Sequence, residues 1–205
     1  MTFLEAINTL LSVIGEAPVS SLSDTGTNAI SDAALASRTL KEVDRDVQSE
    51  GWQFNTDTGV TLEKDSEGQF PLPDNVLRAS FSPNRYADSQ YVVRGKRVYN
   101  RAERSYKIDE QTLIVARMVT QLDWDDLPHA AQQYITIRAA RIYSDRFINS
   151  NVIYTYTSQD EAYHRSQLIR AEEESLSNNL LWGNDRGMGQ GISYVPGSGQ
   201  QYRSN

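Results

Sequence analysis

The sequence predicts an α+β fold: an antiparallel helical bundle frame of about four helices, an inserted antiparallel β module and a flexible C-terminal tail. Apolar residues recur at helical spacing near both ends of the chain, whereas the period changes to two in the middle. The regular alternation of strand and helix that builds a parallel sheet is missing. We therefore assign residues 1–51 and 120–182 to the helical frame, 52–119 to the β module and 183–205 to the tail.

The two N-terminal helices have identifiable beginnings. Thr2 and Glu5 have the spacing of a capping box, which predicts the start of the first helix. The second helix is expected to begin at Asn28 or Ser31 and to continue to Glu50, because its small and aliphatic residues form one stripe at helical spacing. Both helices therefore bury one face.

The end of the second helix is expected to form the junction between the helical frame and the β module. Gly51 is suited to end the helix in the left-handed conformation. Trp52 and Phe54 then share one face of a predicted strand, which would form a hairpin with a strand containing residues 60–62. We expect both aromatic side chains to be structural and to fill the junction, although a ligand-stacking role is the alternative.

Three further segments complete the predicted β module. Residues 91–100 predict a hairpin with a two-residue loop at Gly95 and Lys96, suited to a type II′ turn. Thr112–Val119 predicts a nearly continuous apolar strand. The proline-bracketed connection over residues 70–86 is expected to hold a short helical turn.

The C-terminal helices are predicted from their caps. Asp125 or Asp126 is expected to cap the third helix, with Pro128 in its first turn. Ser158 and Glu161 have the spacing of a second capping box and predict the start of the last helix.

The residues predict no enzyme, cofactor or metal site. Cysteine is absent, and the two histidines belong to no recognisable metal or catalytic motif. Carboxylates around Trp124 leave a carbohydrate hydrolase as an alternative, because such enzymes use acidic pairs in their clefts. A helix N-terminus that favours anions explains the same carboxylates without catalysis. These carboxylates are Asp123, Asp125 and Asp126.

Charge is distributed unevenly along the chain. The net charge is −7, so the chain as a whole should repel nucleic acid. Residues 78–107 nevertheless carry eight basic and two acidic residues, a net charge of 8 − 2 = +6. We expect the predicted hairpin to contact a partner protein, while a nucleic-acid-binding module and a merely solvated hairpin edge are the alternatives. The contact candidates are Arg94, Lys96, Arg97 and Tyr99.

The C-terminal segment combines glycine with spaced apolar residues. Six of the twelve glycines fall within residues 183–205, which predicts a flexible segment. Ile192, Tyr194, Val195 and Tyr202 are spaced along it and indicate that it folds on binding to the surface of a partner or a neighbouring subunit. An idle flexible terminus is the alternative.

Three stretches support a resemblance to a known family. The sequences LLSVIGEAPVSSL, RTLKEVDRDVQSEGWQFNTDTGVTL and DDLPHAAQQYITIRAARIYSDRF occur in the order and at the spacing found in the tail tubular protein A family of short-tailed, autographivirus-type bacteriophages. The resemblance extends from about Phe3 to Leu181.

The resemblance implies a structural head-to-tail adaptor in the virion's short tail, synthesised in the host cytoplasm. In that family, copies of the chain form a ring of about twelve below the portal protein. The ring receives a nozzle formed by tail tubular protein B and lines the channel through which DNA leaves, without specific DNA binding. The helical part would face the portal, which the C-terminal segment would also contact, and the β module would face the nozzle. No membrane contact is expected, since no apolar run reaches the ~18 residues of a spanning helix.

Overall fold

A computed structural model describes residues 1–21, 31–81, 90–147 and 151–182, with side chains described for most of these positions. Four helices and two antiparallel sheets confirm the predicted α+β fold. The helices and strands in chain order are α1 (Phe3–Val13), α2 (Asp32–Ser49), β1 (Thr56–Glu63), β2 (Val76–Phe81), β3 (Tyr91–Arg94), β4 (Arg97–Asn100), β5 (Thr112–Thr120), α3 (His129–Phe147) and α4 (Asn151–Trp182).

The ends of α1 and α2 agree with the sequence prediction. Thr2 and Glu5 form the reciprocal hydrogen bonds of a capping box at the start of α1. Ser31, rather than Asn28, caps α2 by accepting a hydrogen bond from the backbone N–H of Ala34. Gly51 follows α2 with a φ of +79°, as expected for a left-handed helix terminator.

The hairpin predicted to start at Trp52 is absent. Gln53–Asn55 form a 3₁₀ turn, and residues 56–59, which would connect the two strands of the predicted hairpin, belong instead to the single long strand β1. The side chain of Asn55 accepts a hydrogen bond from the backbone N–H of Trp52 and so curls the chain where extension was expected. Gly59 keeps its positive φ of +70° inside the strand without reversing the chain.

The β module is a three-stranded sheet in the order β1-β5-β2 next to the β3–β4 hairpin. The described part of the segment expected to hold a short helical turn, residues 70–81, contains no helix, and its end forms β2, which pairs with β5. Residues 82–86 of that segment lie outside the described residues. The β3–β4 hairpin is confirmed, but its turn is type I′, since Gly95 and Lys96 both have positive φ. The backbone N–H of Leu72 donates to the Lys96 carbonyl and holds this conformation.

Both C-terminal helices begin elsewhere than predicted. Asp125 and Asp126 lie in a 3₁₀ turn and do not cap α3. Pro128 precedes α3, and its carbonyl accepts from the backbone N–H groups of Ala131 and Gln132. Ser158 lies inside α4, which begins seven residues earlier at Asn151, because no glycine or proline interrupts that stretch.

Buried apolar side chains form two clusters. The helical cluster draws on α1, α2 and α3, together with Trp52, Trp124 and Leu168 of α4. The β cluster draws on β1, β3, β4 and β5 and on the segments between the strands. The predicted domain boundaries stay a prediction. Trp52, the first residue of the predicted β module, packs with the helices. In the described residues, no helix is long and apolar enough to cross a membrane.

Candidate interaction site

Gly51 lies in close contact with the sheet at the end of α2. A Cβ atom placed on it would lie 2.8 Å from Arg78 Nη2 and 2.9 Å from Val119 Cγ2. Arg78 donates to the carbonyl of Glu50, and Arg117 donates to the carbonyl of Gly51. Two sheet arginines therefore bind the carbonyl groups that the end of α2 leaves without helical partners.

Trp52 and Phe54 both pack against the helical cluster. Trp52 is 2% exposed, and its indole Nε1–H donates to the Val47 carbonyl at 2.8 Å. Phe54 is partly buried against the same cluster. This placement suits the expected filling of the junction, and the effect of removing either ring stays a prediction.

Two buried amides connect the helical layer to the sheet. Asn55 donates to the carbonyls of Gln48 at 2.8 Å and of Thr120 at 2.9 Å. Gln48 exchanges two hydrogen bonds with the backbone of Leu122. A buried amide that loses its partners is destabilising, so these bonds fix the position of the sheet on the helices. The sequence contained no pattern that distinguishes these amides from surface ones.

Helix α4 reaches the junction mainly through charged side chains. The Glu172 carboxylate accepts from the backbone N–H of Gln53 at 2.7 Å. Its burial raises its pKa, and hydrogen bonds from the backbone of Gln53 and Phe54 partly offset that rise. Arg165 pairs with Glu50 at 3.4 Å. Glu161, Arg165, Leu168 and Glu172 recur at intervals of three or four residues and therefore form one contact stripe, the α4 stripe.

The β3–β4 hairpin, which we call the basic hairpin, contains two kinds of candidate contact residue. Lys96 Nζ pairs with Asp74 Oδ1 at 2.5 Å, and Arg97 donates to Gln69 Oε1 at 2.7 Å. Both side chains are thus used to hold the hairpin against the segment that precedes β2. The guanidinium carbon of Arg94 instead lies 4.1 Å from the centre of the Tyr99 ring.

Tyr106 extends this arrangement and was not singled out from the sequence. Its ring lies 5.0 Å from the Tyr99 ring, with the planes at 70°, and it is 39% exposed. Arg94 and Tyr99 share the outer face of the hairpin, as the pairings Val92–Tyr99 and Arg94–Arg97 require. We call Arg94, Tyr99 and Tyr106 the tyrosine stack. The only sequence indication of the tyrosine stack was an aromatic residue between basic residues.

The surroundings of Trp124 do not form a sugar-binding cleft. Trp124 is 9% exposed, donates its indole N–H to the Met1 carbonyl and packs edge-on against Phe3. Its ring is therefore covered by the N-terminal helix and is not available for stacking on a sugar. Asp123, Asp125 and Asp126 are exposed. In the described part of the chain, no cluster of histidine and acidic residues could hold a metal ion.

Comparison with known proteins identifies the family. A sequence profile described as Tail tubular protein matches residues 4–177, which extend from α1 into α4. The chain belongs to the tail tubular protein family. It is therefore a structural protein of a phage tail, and its place is the tail of the virion. Among curated proteins, no match was found.

The family match extends past the junction and the hairpin but stops short of the C-terminal candidates. Ile192, Tyr194, Val195 and Tyr202 lie outside the described residues as well as outside the matched range. Their assignment to the portal or to a neighbouring subunit stays a prediction.

Proposed function

We propose that this tail tubular protein is the head-to-tail adaptor of its virion. Copies of the chain would form a ring of about twelve between the portal protein and the nozzle made of tail tubular protein B. The family match over residues 4–177 is the observation that carries this proposal, because it places the chain in the phage tail. No catalytic step is part of the proposed function.

The division of the buried residues into two clusters supports a two-sided connector. The helical cluster and the β cluster each bury their own apolar side chains, and the junction around Gly51 and Asn55 fixes one to the other. Such an arrangement of two joined clusters can present different surfaces at its two ends. We assign the helical end to the portal and the β end, with its basic hairpin, to the nozzle.

The acidic character of the chain supports a second part of the proposal, a DNA channel. A net charge of −7 disfavours binding to phosphates, and a basic lining would retain DNA through counterion release. We infer that the ring lets DNA pass without specific contacts. The basic hairpin would then lie away from the channel.

Reconstitution tests the adaptor role directly. The purified protein is mixed with the portal protein of the same phage, then with its nozzle protein, and each mixture is imaged by negative-stain electron microscopy. A ring on the portal that then accepts the nozzle is expected. A protein that binds neither the portal nor the nozzle contradicts the proposal. So does a protein that binds the nozzle only in the absence of the portal protein.

A further inference from the structure

The tyrosine stack is exposed and at the same time rigidly held. Asn100 and Ser105 exchange backbone hydrogen bonds at 2.9 and 3.2 Å and so close the loop between β4 and Tyr106. The Asn100 side chain accepts from the backbone N–H groups of Ala102 and Glu103 within that loop. Aromatic side chains held in place before binding lose little conformational freedom in a complex. The loop thus presents Tyr106 in a fixed position.

The cations of this region differ in whether an oxygen atom of another side chain binds them in the described part of the chain. Lys96 and Arg97 bind Asp74 and Gln69. Four other cations are exposed, and in the described part of the chain none of them forms an ion pair with a carboxylate. These four are Arg94, Arg101, Arg104 and Lys107.

We infer that the tyrosine stack is the central contact of the nozzle-facing surface and that its partner is an acidic protein surface. This inference rests on the proposed adaptor function and assigns the contact within the hairpin to particular residues. Tyrosine and arginine are enriched among the residues that dominate protein interfaces. Carboxylates of the partner complement the four cations that form no ion pair in the described part of the chain, and an apolar patch among those carboxylates receives Tyr106.

Lys96 and Arg97 have a different role in this assignment. Because each already binds a side chain of the segment before β2, they contribute little to the partner contact. The backbone N–H groups of Leu72 and Val98 donate to the carbonyls of Lys96 and Phe70, and these bonds hold the hairpin independently of both side chains. The sequence could not separate them from Arg94, since all three are basic residues of one hairpin.

A nucleic acid fits the tyrosine stack less well than a protein does. Arg94 already covers one face of the Tyr99 ring, so a base has less room to stack there. The net charge of −7 also opposes the approach of phosphates. An acidic protein surface needs no free face of the Tyr99 ring, because its carboxylates can bind the exposed cations around that ring.

Binding of the full-length protein to the purified nozzle protein of the same phage tests the inference. Tyr106→Ala is expected to raise the Kd at least about tenfold, as for other central interface residues, without changing the melting temperature. Arg94→Glu gives a second variant on an exposed side chain. Lys96→Ala and Tyr163→Ala serve as matched controls, because Tyr163 is an exposed aromatic residue on α4. Both controls should change the Kd less than about twofold.

The outcomes separate the inference from the proposed function. If the wild-type protein does not bind the nozzle at all, the nozzle assignment itself is overturned. If the wild type binds but Tyr106→Ala and Arg94→Glu bind equally well, or if Lys96→Ala loses as much as they do, only the tyrosine stack is overturned. Retention of duplex DNA that disappears in Tyr106→Ala while nozzle binding persists overturns it in favour of a nucleic acid.

Discussion

Gly51 combines a positive φ with close packing of its Cα, whereas the other glycines in the described part of the chain show only the positive φ. Its φ is +79°, and an added Cβ would lie 3.0 Å or less from Arg78, Val119 and Arg117. Gly15 has a φ of +81° but nothing within 4 Å of the same position. Left-handed strain alone destabilises a residue with a side chain by about 1–2 kcal/mol. We therefore expect Gly15→Ala to lower the free energy of unfolding by the cost of that strain alone.

Gly51→Ala should destabilise the protein by at least about 1 kcal/mol more than Gly15→Ala, because overpacking at the sheet adds to the strain. Urea unfolding of the two variants measures the difference. Equal losses of unfolding free energy would mean that the sheet can move away from α2 without penalty.

Trp52 should prove structural. Because its ring is buried in the helical cluster, Trp52→Ala is expected to lower the free energy of unfolding by about 3–5 kcal/mol. Tyr163→Ala, at a position 60% exposed, is the control and should change that free energy by less than about 0.5 kcal/mol. A Trp52→Ala protein as stable as the wild type would show that the indole does not hold the junction.

Asp44 makes stability depend on pH. Burial raises the pKa of its carboxyl, and hydrogen bonds from Gln48 and Gln121 only partly oppose this. The folded state therefore takes up a proton at a higher pH than the unfolded state, so the contribution of Asp44 to stability grows as pH falls through the raised pKa towards the usual one. The unfolding free energy of the wild type minus that of Asp44→Asn should therefore increase as the pH is lowered from 7 towards 3.8, the ordinary pKa of the carboxyl.

The same measurement on Asp46→Asn, which removes an exposed carboxylate from the same helix, provides the control for Asp44. A difference between wild type and Asp44→Asn that shrinks on acidification would contradict the assigned direction.

The predictable residues are those whose role is decided by their neighbours in sequence. Thr2 caps α1 and Gly51 ends α2 because each needs only the backbone within a few residues. The role of Asn55 could not be predicted in this way, since its amide binds Thr120, which is 65 residues away. Lys96 was proposed as a partner contact, and its ion pair with Asp74, 22 residues away in sequence, could not be predicted because no local pattern indicates it.

At the scale of elements, α4 differs from the other helices in how it is attached. Among its described side chains only Leu168 is buried, while Glu161, Arg165 and Glu172 of the α4 stripe bind charged or backbone groups elsewhere. The two ends of the stripe bind different elements, since Glu161 pairs with Arg141 of α3 and Glu172 binds the 3₁₀ turn.

Glu172 provides the test of this attachment. Glu172→Ala leaves the backbone N–H of Gln53 without its acceptor and should lower the free energy of unfolding by about 1–3 kcal/mol. Glu172→Gln keeps an oxygen acceptor and removes the charge, so its unfolding free energy at neutral pH should stay close to that of the wild type. Chemical denaturation of both variants, with Glu173→Ala as the exposed neighbour control, measures the effect. An alanine variant as stable as the glutamine one would remove Glu172 from the attachment.

At the scale of the whole molecule, the C-terminal candidates can be tested by truncation. Removing the residues after Gly183 should leave the melting temperature nearly unchanged, because a segment so rich in glycine and polar residues is expected to bury little apolar surface. It should also weaken retention on the portal, since the spaced residues Ile192, Tyr194, Val195 and Tyr202 are predicted to bind there. Sedimentation of mixed complexes measures the retention. A truncated protein that docks as tightly as the full chain leaves only the idle-terminus alternative.

The discontinuous helical layer has a consequence for synthesis on the ribosome. The N-terminal ammonium of Met1 binds Gln132, and α1 and α2 pack against α3, on the far side of the β module in sequence. At roughly 5–20 residues per second, the interval between Ser49 and His129 takes on the order of 4–16 s to translate. During that interval the apolar faces of α1 and α2 have no α3 to cover them, whereas the β cluster receives its last strand at Thr120. The helical layer, whose first two helices are synthesised before the β module, therefore completes its packing after the β module does.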